Sequence, residues 1–280
     1  MFHVFGQELY LRETVRAAAV VAGEPDRRAA CDRIAALLPH PSARTRARVA
    51  SEIARRLAAG AQSPDLAPSF ARLVAGLHSP DARRDLVIHA VARADALVGA
   101  IAREVLFPIL LDEAMPRGVT SGDMARHGAA PLITVEPIVP FPFLRWFAAE
   151  RWRFERVRTL HLALRVLRQA GLVHTTRLLG QAGRVQAVAL SPHGLSFPAF
   201  VWCLADEIGR DQRPLTQDRI ARASFARTLL VPASAGAMWL PEAERRGFLR
   251  AEGPPSARRY VLAMDPREVA GSLLANAGEG

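Results

Sequence analysis

The chain has 280 residues, with 37 basic against 27 acidic side chains and a net charge of +10, and every basic residue other than histidine is arginine. The absence of lysine excludes P-loop nucleotide hydrolases, protein kinases and pyridoxal enzymes, because each needs a lysine amine at its reacting centre. Guanidinium groups make planar, two-pronged contacts with phosphates and guanine edges, so nucleic acid is the first partner to expect. Translation of a GC-rich genome is an alternative cause of the missing lysine.

The two cysteines and the N-terminus indicate a cytoplasmic protein. Cys31 and Cys203 belong to no CxxC pair and have no histidines at zinc-ligand spacing, so we expect both to be small buried residues in a reducing compartment. The first residues lack the basic start and apolar run of a signal peptide. Residues 96–111 are apolar, but the stretch is shorter than the about 20 residues that cross a bilayer.

Residues 1–113 have the pattern of a helical bundle. From residue 3 the apolar positions recur every three or four residues, and prolines at 25, 39, 41, 64 and 80 divide the pattern into about five helices. Helix start signals agree with these breaks: they are Ser42, Ser63-Pro64-Asp65 and Ser79-Pro80-Asp81.

Residues 114–142 are rich in glycine and proline and are predicted to be a linker or irregular lobe. A module over 143–212 follows. Its periodic segment begins near Phe143, its long helix ends at Ala170-Gly171, and residues 173–179 and 184–190 form a hairpin. Helix, glycine and hairpin in this order are typical of the end of a winged helix-turn-helix.

The same order returns in residues 213–280. Helical segments at 216–230 and 241–246 lead to Gly247, then to two short strands at 248–252 and 258–263, and a short helix follows Pro266. This part is either a second winged-helix-like module or a C-terminal extension. The fold class that we expect is mainly α: an N-terminal helical bundle followed by winged-helix-like modules, each a helix-turn-helix plus a β-hairpin.

The positive charge is concentrated in two segments. Residues 145–190 carry a net charge of +7 and residues 27–60 carry +6, whereas the rest of the chain carries −3. A uniform bias of the genome toward arginine does not separate charge in this way.

Each basic segment places its cations in a stripe on one helix. At 100° per residue, Arg158, His161, Arg165 and Arg168 lie beside the apolar stripe of Val157, Leu160, Leu164 and Leu167. In the N-terminal bundle, Arg44, Arg48, Ser51 and Arg55 align beside Ala50, Ile53 and Leu57. The alternative is that both stripes are ordinary solvated faces, although such faces gain from ion pairs that these stripes have few acids to make.

The hairpin adds Thr175, Thr176, Arg177 and Arg184, which could reach backbone phosphates or a minor groove, or belong to a wing that touches nothing. The candidate DNA-binding residues are therefore Arg44, Arg48, Ser51, Arg55, Arg158, His161, Arg165, Arg168, Thr175, Arg177 and Arg184.

No catalytic motif accompanies these cations. The sequence contains no GxSxG, HExxH, GxGxxG or EF-hand loop, and its eight histidines are scattered. We therefore expect no enzymatic activity, no metal site and no cofactor.

Several helical patterns, in their order and spacing over residues 3–200, resemble the BrxA family of bacteriophage exclusion (BREX) defence systems. They are GQELYLRETVRAA at 6–18, RTRARVASEIARRL at 44–57, DLVIHAVARADALVGAIAREVL at 85–106, and residues 158–173, which end in LRQAGLV. The resemblance implies a cytoplasmic, non-catalytic DNA-binding component with helix-turn-helix character. It also implies partners in phage restriction: a methyltransferase, an ATPase and a phosphatase-like protein.

Two other functions fit the same features. A winged-helix transcriptional regulator would form a dimer and bind a palindromic site, since half-site spacing mirrors protein symmetry. A scaffold protein would use its basic faces to dock acidic partner subunits and would bind DNA hardly at all.

Overall fold

A computed structural model describes residues 8–24, 26–110, 137–180, 183–191, 194–211, 214–254 and 257–277, with the side chains of 178–180, 183–185, 210 and 211 excepted. The chain is mainly helical and has two small antiparallel sheets, so the prediction of a mainly α fold is confirmed. Most of the linker expected at 114–142 lies outside the described residues. Among the described helices, none has the length and apolar character needed to cross a lipid bilayer.

The chain divides into two compact units that each combine separate stretches of sequence. The first unit contains residues 1–9, 95–193 and 227–232, and the second contains 10–94, 194–226 and 233–280. The division of the sequence at 113, 142 and 212 stays a prediction about which parts fold independently.

The five helices expected at the N-terminus are present in the second unit. They are α1 (Leu11–Gly23), α2 (Arg27–Leu37), α3 (Ala43–Ala59), α4 (Ala67–Gly76) and α5 (Pro80–Ala94). Capping explains where two of them begin: the Asp26 carboxylate accepts from the Ala29 amide at 2.8 Å, and the Ser42 hydroxyl accepts from the Thr45 amide at 3.4 Å. A 3₁₀ turn at Pro64–Leu66 leads into α4.

The first unit contains four helices, a π-helical turn at Ile101–Leu106 and a three-stranded sheet among its described residues. In chain order its elements are α6 (Ala96–Ala100), α7 (Phe107–Leu110), β1 (Ile138–Pro140), α8 (Phe141–Trp152), α9 (Val157–Gln169), β2 (Val173–Gly180) and β3 (Gly183–Leu190). The strands are antiparallel in the order β1-β3-β2. The hairpin expected from the sequence is therefore present, with a third strand beside it.

Two features of the first unit differ from the sequence prediction. The periodic segment expected from Phe143 to Ala170 is divided into two helices, because Arg153 adopts a left-handed conformation (φ 51°) that ends α8. The end of the expected linker is also ordered: residues 138–140 form β1 and pair with β3, from Ile138 opposite Ala189 to Pro140 opposite Ala187.

The second unit continues with α10 and a second sheet. Its elements are α10 (Phe197–Asp211), β4 (Leu215–Thr216), α11 (Gln217–Ala221), α12 (Ser224–Thr228), α13 (Ala233–Ala237), α14 (Leu240–Arg245), β5 (Leu249–Glu252), β6 (Arg259–Leu262) and α15 (Pro266–Ala277). The last two residues of α12 belong to the first unit. The helical segment expected at 216–230 is thus two short helices. The sheet order is β4-β6-β5.

The two sheets belong to segments with the same connectivity, which we name the first sheet module (residues 137–191) and the second sheet module (214–263). In both, a short strand is followed by helices and then by a hairpin whose second strand lies in the middle of the sheet.

The helix before each hairpin also ends in the same way in the two modules. Gly171 and Gly247 adopt φ values of 76° and 75°, which favour glycine. The next amide bonds five residues back in each case, from Leu172 to the Leu167 carbonyl at 3.1 Å and from Phe248 to the Ala243 carbonyl at 2.9 Å.

The core of the second unit contains a buried polar network. Arg56 and Glu52 are fully buried on α3 and form an ion pair at 2.6 Å. Asp206 on α10 accepts from the Gln62 amide at 2.8 Å and pairs with Arg93 at 2.5 Å. Charged groups are retained in an interior only where such partners compensate their lost hydration. The Asp206 contacts join α10 to α5 and to the loop after α3, whereas the Arg56–Glu52 pair lies within α3.

Candidate nucleic-acid interface

Helix α9 presents the predicted basic stripe to solvent. Leu160, Leu164 and Leu167 are buried, whereas Arg158, His161, Arg165 and Arg168 are exposed. The helix therefore packs through one face and leaves the neighbouring face available to a ligand, as its amphipathic pattern predicts.

A groove of about 200 Å³ lies between α9 and the hairpin. It is lined by His161, Leu164, Arg165, Arg168, Val173, Thr175, Gln186 and Val188. The floor is apolar, since Leu164, Val173 and Val188 are buried, and the other five residues are polar or cationic. The groove thus brings together four residues that the sequence predicted separately on a helix and on a strand: His161, Arg165, Arg168 and Thr175.

The strand register explains which hairpin residues belong to this face. Alternate residues of a strand share a face, and directly opposed residues of two paired strands lie on the same side of the sheet. Thr175 is opposite Val188 and Arg177 is opposite Gln186, so exposed Arg177 continues the groove face toward the turn. Thr176 lies between Thr175 and Arg177 on the opposite face of the strand and is half-buried. Arg184 pairs with Leu179, and its side chain lies outside the described set.

The cations of this face have few acidic partners. Glu8 pairs with Arg165 at 3.6 Å, with both side chains 45% exposed, so solvent screens this contact and it contributes little. Within the described residues no carboxylate forms an ion pair with Arg158, Arg168 or Arg177. The face therefore retains net positive charge at its surface.

His161 has an aromatic neighbour that the sequence reasoning missed. The ring of Phe141 stacks on the imidazole with 4.2 Å between centroids and 17° between planes. This contact holds the imidazole at the groove wall. Phe141 precedes α9 by a whole helix, so helical periodicity within 157–169 gave no signal for it.

Gln186 is the other missed groove residue, and the sequence did contain a signal for it. Strands at 173–179 and 184–190 with their turn centred between them place residue 186 opposite Arg177. The observed register has this pairing. Extending the predicted hairpin to cross-strand pairs would have found it.

The second predicted stripe, on α3, is present in part. Arg44, Arg48 and Ser51 are exposed, and Arg48 lies 3.9 Å from Glu52. Arg55 is different: it is half-buried and donates to the carbonyl of Ala94 at the end of α5, at 2.5 Å. Its guanidinium therefore contributes to packing in the second unit, and we remove Arg55 from the candidate surface.

Other reactive side chains lie mostly in the interior. Burial raises the pKa of the Cys203 thiol well above its usual value, whereas Cys31 is only half-buried, contrary to the expectation that both are buried. His89 is buried, and burial together with the nearby Arg93 charge lowers its pKa to about 3. In the described part of the chain, no three histidine, cysteine or acidic side chains are grouped to hold a metal ion.

Comparison of the chain with protein-family models, with curated proteins and with solved structures finds no match in any of the three. The resemblance to the BrxA family stays a prediction from the sequence patterns, and a functional argument depends on the chemistry of the site.

Proposed function

We propose that this protein is a non-catalytic component that binds double-stranded DNA through the exposed face of α9 and the adjoining hairpin. The observation that carries the proposal is the groove, where Arg165, Arg168 and Thr175 converge from a helix and a strand. Arginine donates in a planar fork that matches two phosphate oxygens, and hydroxyl groups commonly contact the DNA backbone.

Charge supports DNA as the ligand of this face. The segment that contains α9 and the hairpin carries +7, and three of its exposed arginines have no ion-pair partner among the described residues. Duplex DNA carries a negative charge about every 1.7 Å along its axis, and neutralising phosphates releases counterions. Arg44 and Arg48 on α3 form a separate basic surface in the second unit that can contribute in the same way.

We further infer that the two sheet modules are winged helices. Each has a strand, helices and a hairpin in that chain order, and the hairpin's second strand is central in each sheet. On this interpretation α9 is the helix that meets DNA and the β2-β3 hairpin is its wing. The role in BREX-type phage defence, with a methyltransferase, an ATPase and a phosphatase-like protein as partners, rests on the family resemblance.

The proposal is tested by fluorescence anisotropy with a random-sequence duplex at two salt concentrations, with RNA as competitor. If six arginines contact phosphates, raising the salt concentration from 50 to 200 mM should weaken the affinity for DNA by roughly 10³-fold or more. A protein that binds no duplex at low salt would contradict the proposal and favour a scaffold that docks acidic proteins. A steep preference for one palindrome would favour the transcriptional regulator.

A further inference from the structure

The groove between α9 and the hairpin differs from the rest of the basic face because it is concave and has uncharged polar residues as well as cations. Thr175 and Gln186 line it together with His161, Arg165 and Arg168. A surface that attracts DNA only through its overall charge needs neither a hydroxyl nor a carboxamide. Their presence beside two guanidinium groups is the composition of a site that coordinates one oxyanion directly.

A carboxylate lies close to one of the arginines that line this groove. Glu8 lies 3.6 Å from Arg165, and the next residue, Leu9, is held against α9 because its amide donates to the Gln169 carboxamide oxygen at 2.8 Å. Leu9 is 4% exposed, so this part of the chain is packed in place. A carboxylate of the protein itself is thus within ion-pair distance of one guanidinium that lines the groove.

We propose that the groove binds a single phosphodiester of the nucleic-acid backbone, in competition with the carboxylate of Glu8. Arg165 and Arg168 supply the charge, and Thr175 and Gln186 donate hydrogen bonds to the phosphate oxygens. Arg158 lies outside the groove and contributes only long-range attraction. This inference rests on the proposed function, since it names the group that the same face holds.

Variants that change no charge distinguish a seated phosphate from diffuse attraction. Thr175→Val keeps the β-branched shape and removes the hydroxyl, and Gln186→Met keeps the length and removes the carboxamide. Thr176→Val is the matched control, because Thr176 is the next residue of β2 but does not line the groove. Circular dichroism and the melting temperature check that each variant folds.

We expect Thr175→Val and Gln186→Met each to weaken binding of a 20-base-pair duplex by about 10-fold or more, the usual effect of losing one hydrogen bond to a charged group. The slope of log affinity against log salt stays unchanged, because no counterion is involved. Thr176→Val binds as the unaltered protein does, and Glu8→Gln binds about twofold more tightly because an exposed ion pair contributes little. Thr175→Val and Gln186→Met variants that bind as tightly as Thr176→Val would overturn the proposal.

A second measurement separates this proposal from the proposed function. The dinucleotide d(TpT) contains one phosphodiester and no duplex, and we expect it to shift the NMR signals of the Thr175 amide and the Gln186 carboxamide in a saturable way. Shifts with d(TpT) but no duplex binding would support the groove and contradict the duplex-binding function. If the protein binds duplex DNA but d(TpT) shifts neither NMR signal, the proposed function stands and the phosphate site is overturned.

Discussion

The two sheet modules share a topology and differ in what their charges contact. Both have the sheet order in which the hairpin's second strand is central, and both end the preceding helix at a glycine with φ near 75°. In the second module the cations are paired: Arg245 lies 2.6 Å from Glu242, and Arg258 lies 2.7 Å from Glu244. The topology alone therefore does not produce a basic surface. The acidic residues near the helix determine whether the arginines of a module are paired or available to a ligand.

The pairing in the second module also affects proton binding. Hydrogen bonds from Arg245 and Arg246 hold the pKa of Glu242 down to about 2. This carboxylate is therefore ionised at neutral and mildly acidic pH, where it offsets part of the charge of the two arginines. On α9 no described carboxylate does this for Arg158 or Arg168.

The largest expected effect comes from removing three arginines from the first sheet module. Arg158→Ala, Arg165→Ala and Arg168→Ala together should weaken duplex binding roughly 100-fold at low salt and reduce the salt slope by about 2, since Arg165 and Arg168 contact phosphate and Arg158 adds only long-range attraction. Anisotropy at several salt concentrations measures both quantities.

The matched control removes the same amount of charge from the second module, as Arg245→Ala, Arg250→Ala and Arg258→Ala. These side chains are exposed and paired with glutamates. We expect this triple variant to retain most of the affinity. If the two triple variants lose equal affinity for the duplex, net charge alone governs binding. The proposed difference between the two modules would then be wrong.

The histidines of the two units differ in burial. His89 in the second unit is buried, with no hydrogen-bond partner for either ring nitrogen among the described residues, whereas His161 in the first unit is exposed. Because the pKa of His89 is about 3 when folded and near 6.5 when unfolded, protonation favours the unfolded chain. Stability is present above pH 6.5 and is lost as the pH falls toward 3, by about 1.4 kcal/mol per pH unit.

Urea unfolding at pH 7, 6 and 5 measures this dependence on pH. His89→Leu should make the stability less dependent on pH in that range. A His89→Leu protein that loses stability below pH 6.5 as steeply as the unaltered protein would show that other groups cause the acid sensitivity.

The smallest expected effect is a gain of binding in the second module. Glu242→Gln and Glu244→Gln together remove the partners of Arg245, Arg246 and Arg258 and should tighten duplex binding a few-fold at low salt. Asp32→Asn with Glu268→Gln removes two exposed acids elsewhere and is the control for net charge. If both double variants tighten binding equally, net charge explains the gain. The ion pairs of the second module then do not account for the difference in DNA binding between the two modules.

The sequence predicted those parts of the fold that depend on local signals. Ser42 starts α3 through its side chain, and Gly171 and Gly247 stop two helices because they adopt positive φ. The break at Arg153 was missed, since neither glycine nor proline marks it. Strand β1 was missed because three residues ending in a proline form a strand only when β3 is beside them.

In the candidate site, too, local sequence signals predicted some features, and features that depend on tertiary contacts were missed. Helical periodicity was enough to place Arg165 and Arg168 on one exposed stripe. The same periodicity failed for Arg55, because its guanidinium reaches a carbonyl 39 residues away on another helix. The groove itself required the hairpin to fold back against α9, which is a tertiary contact that periodicity does not contain.

Hydrogen–deuterium exchange of the protein with and without duplex DNA tests the central claim most directly. We predict that DNA protects residues 157–169 and 173–177 of the first sheet module and leaves residues 240–262 of the second unchanged. Protection of the second module with none in the first would contradict the account.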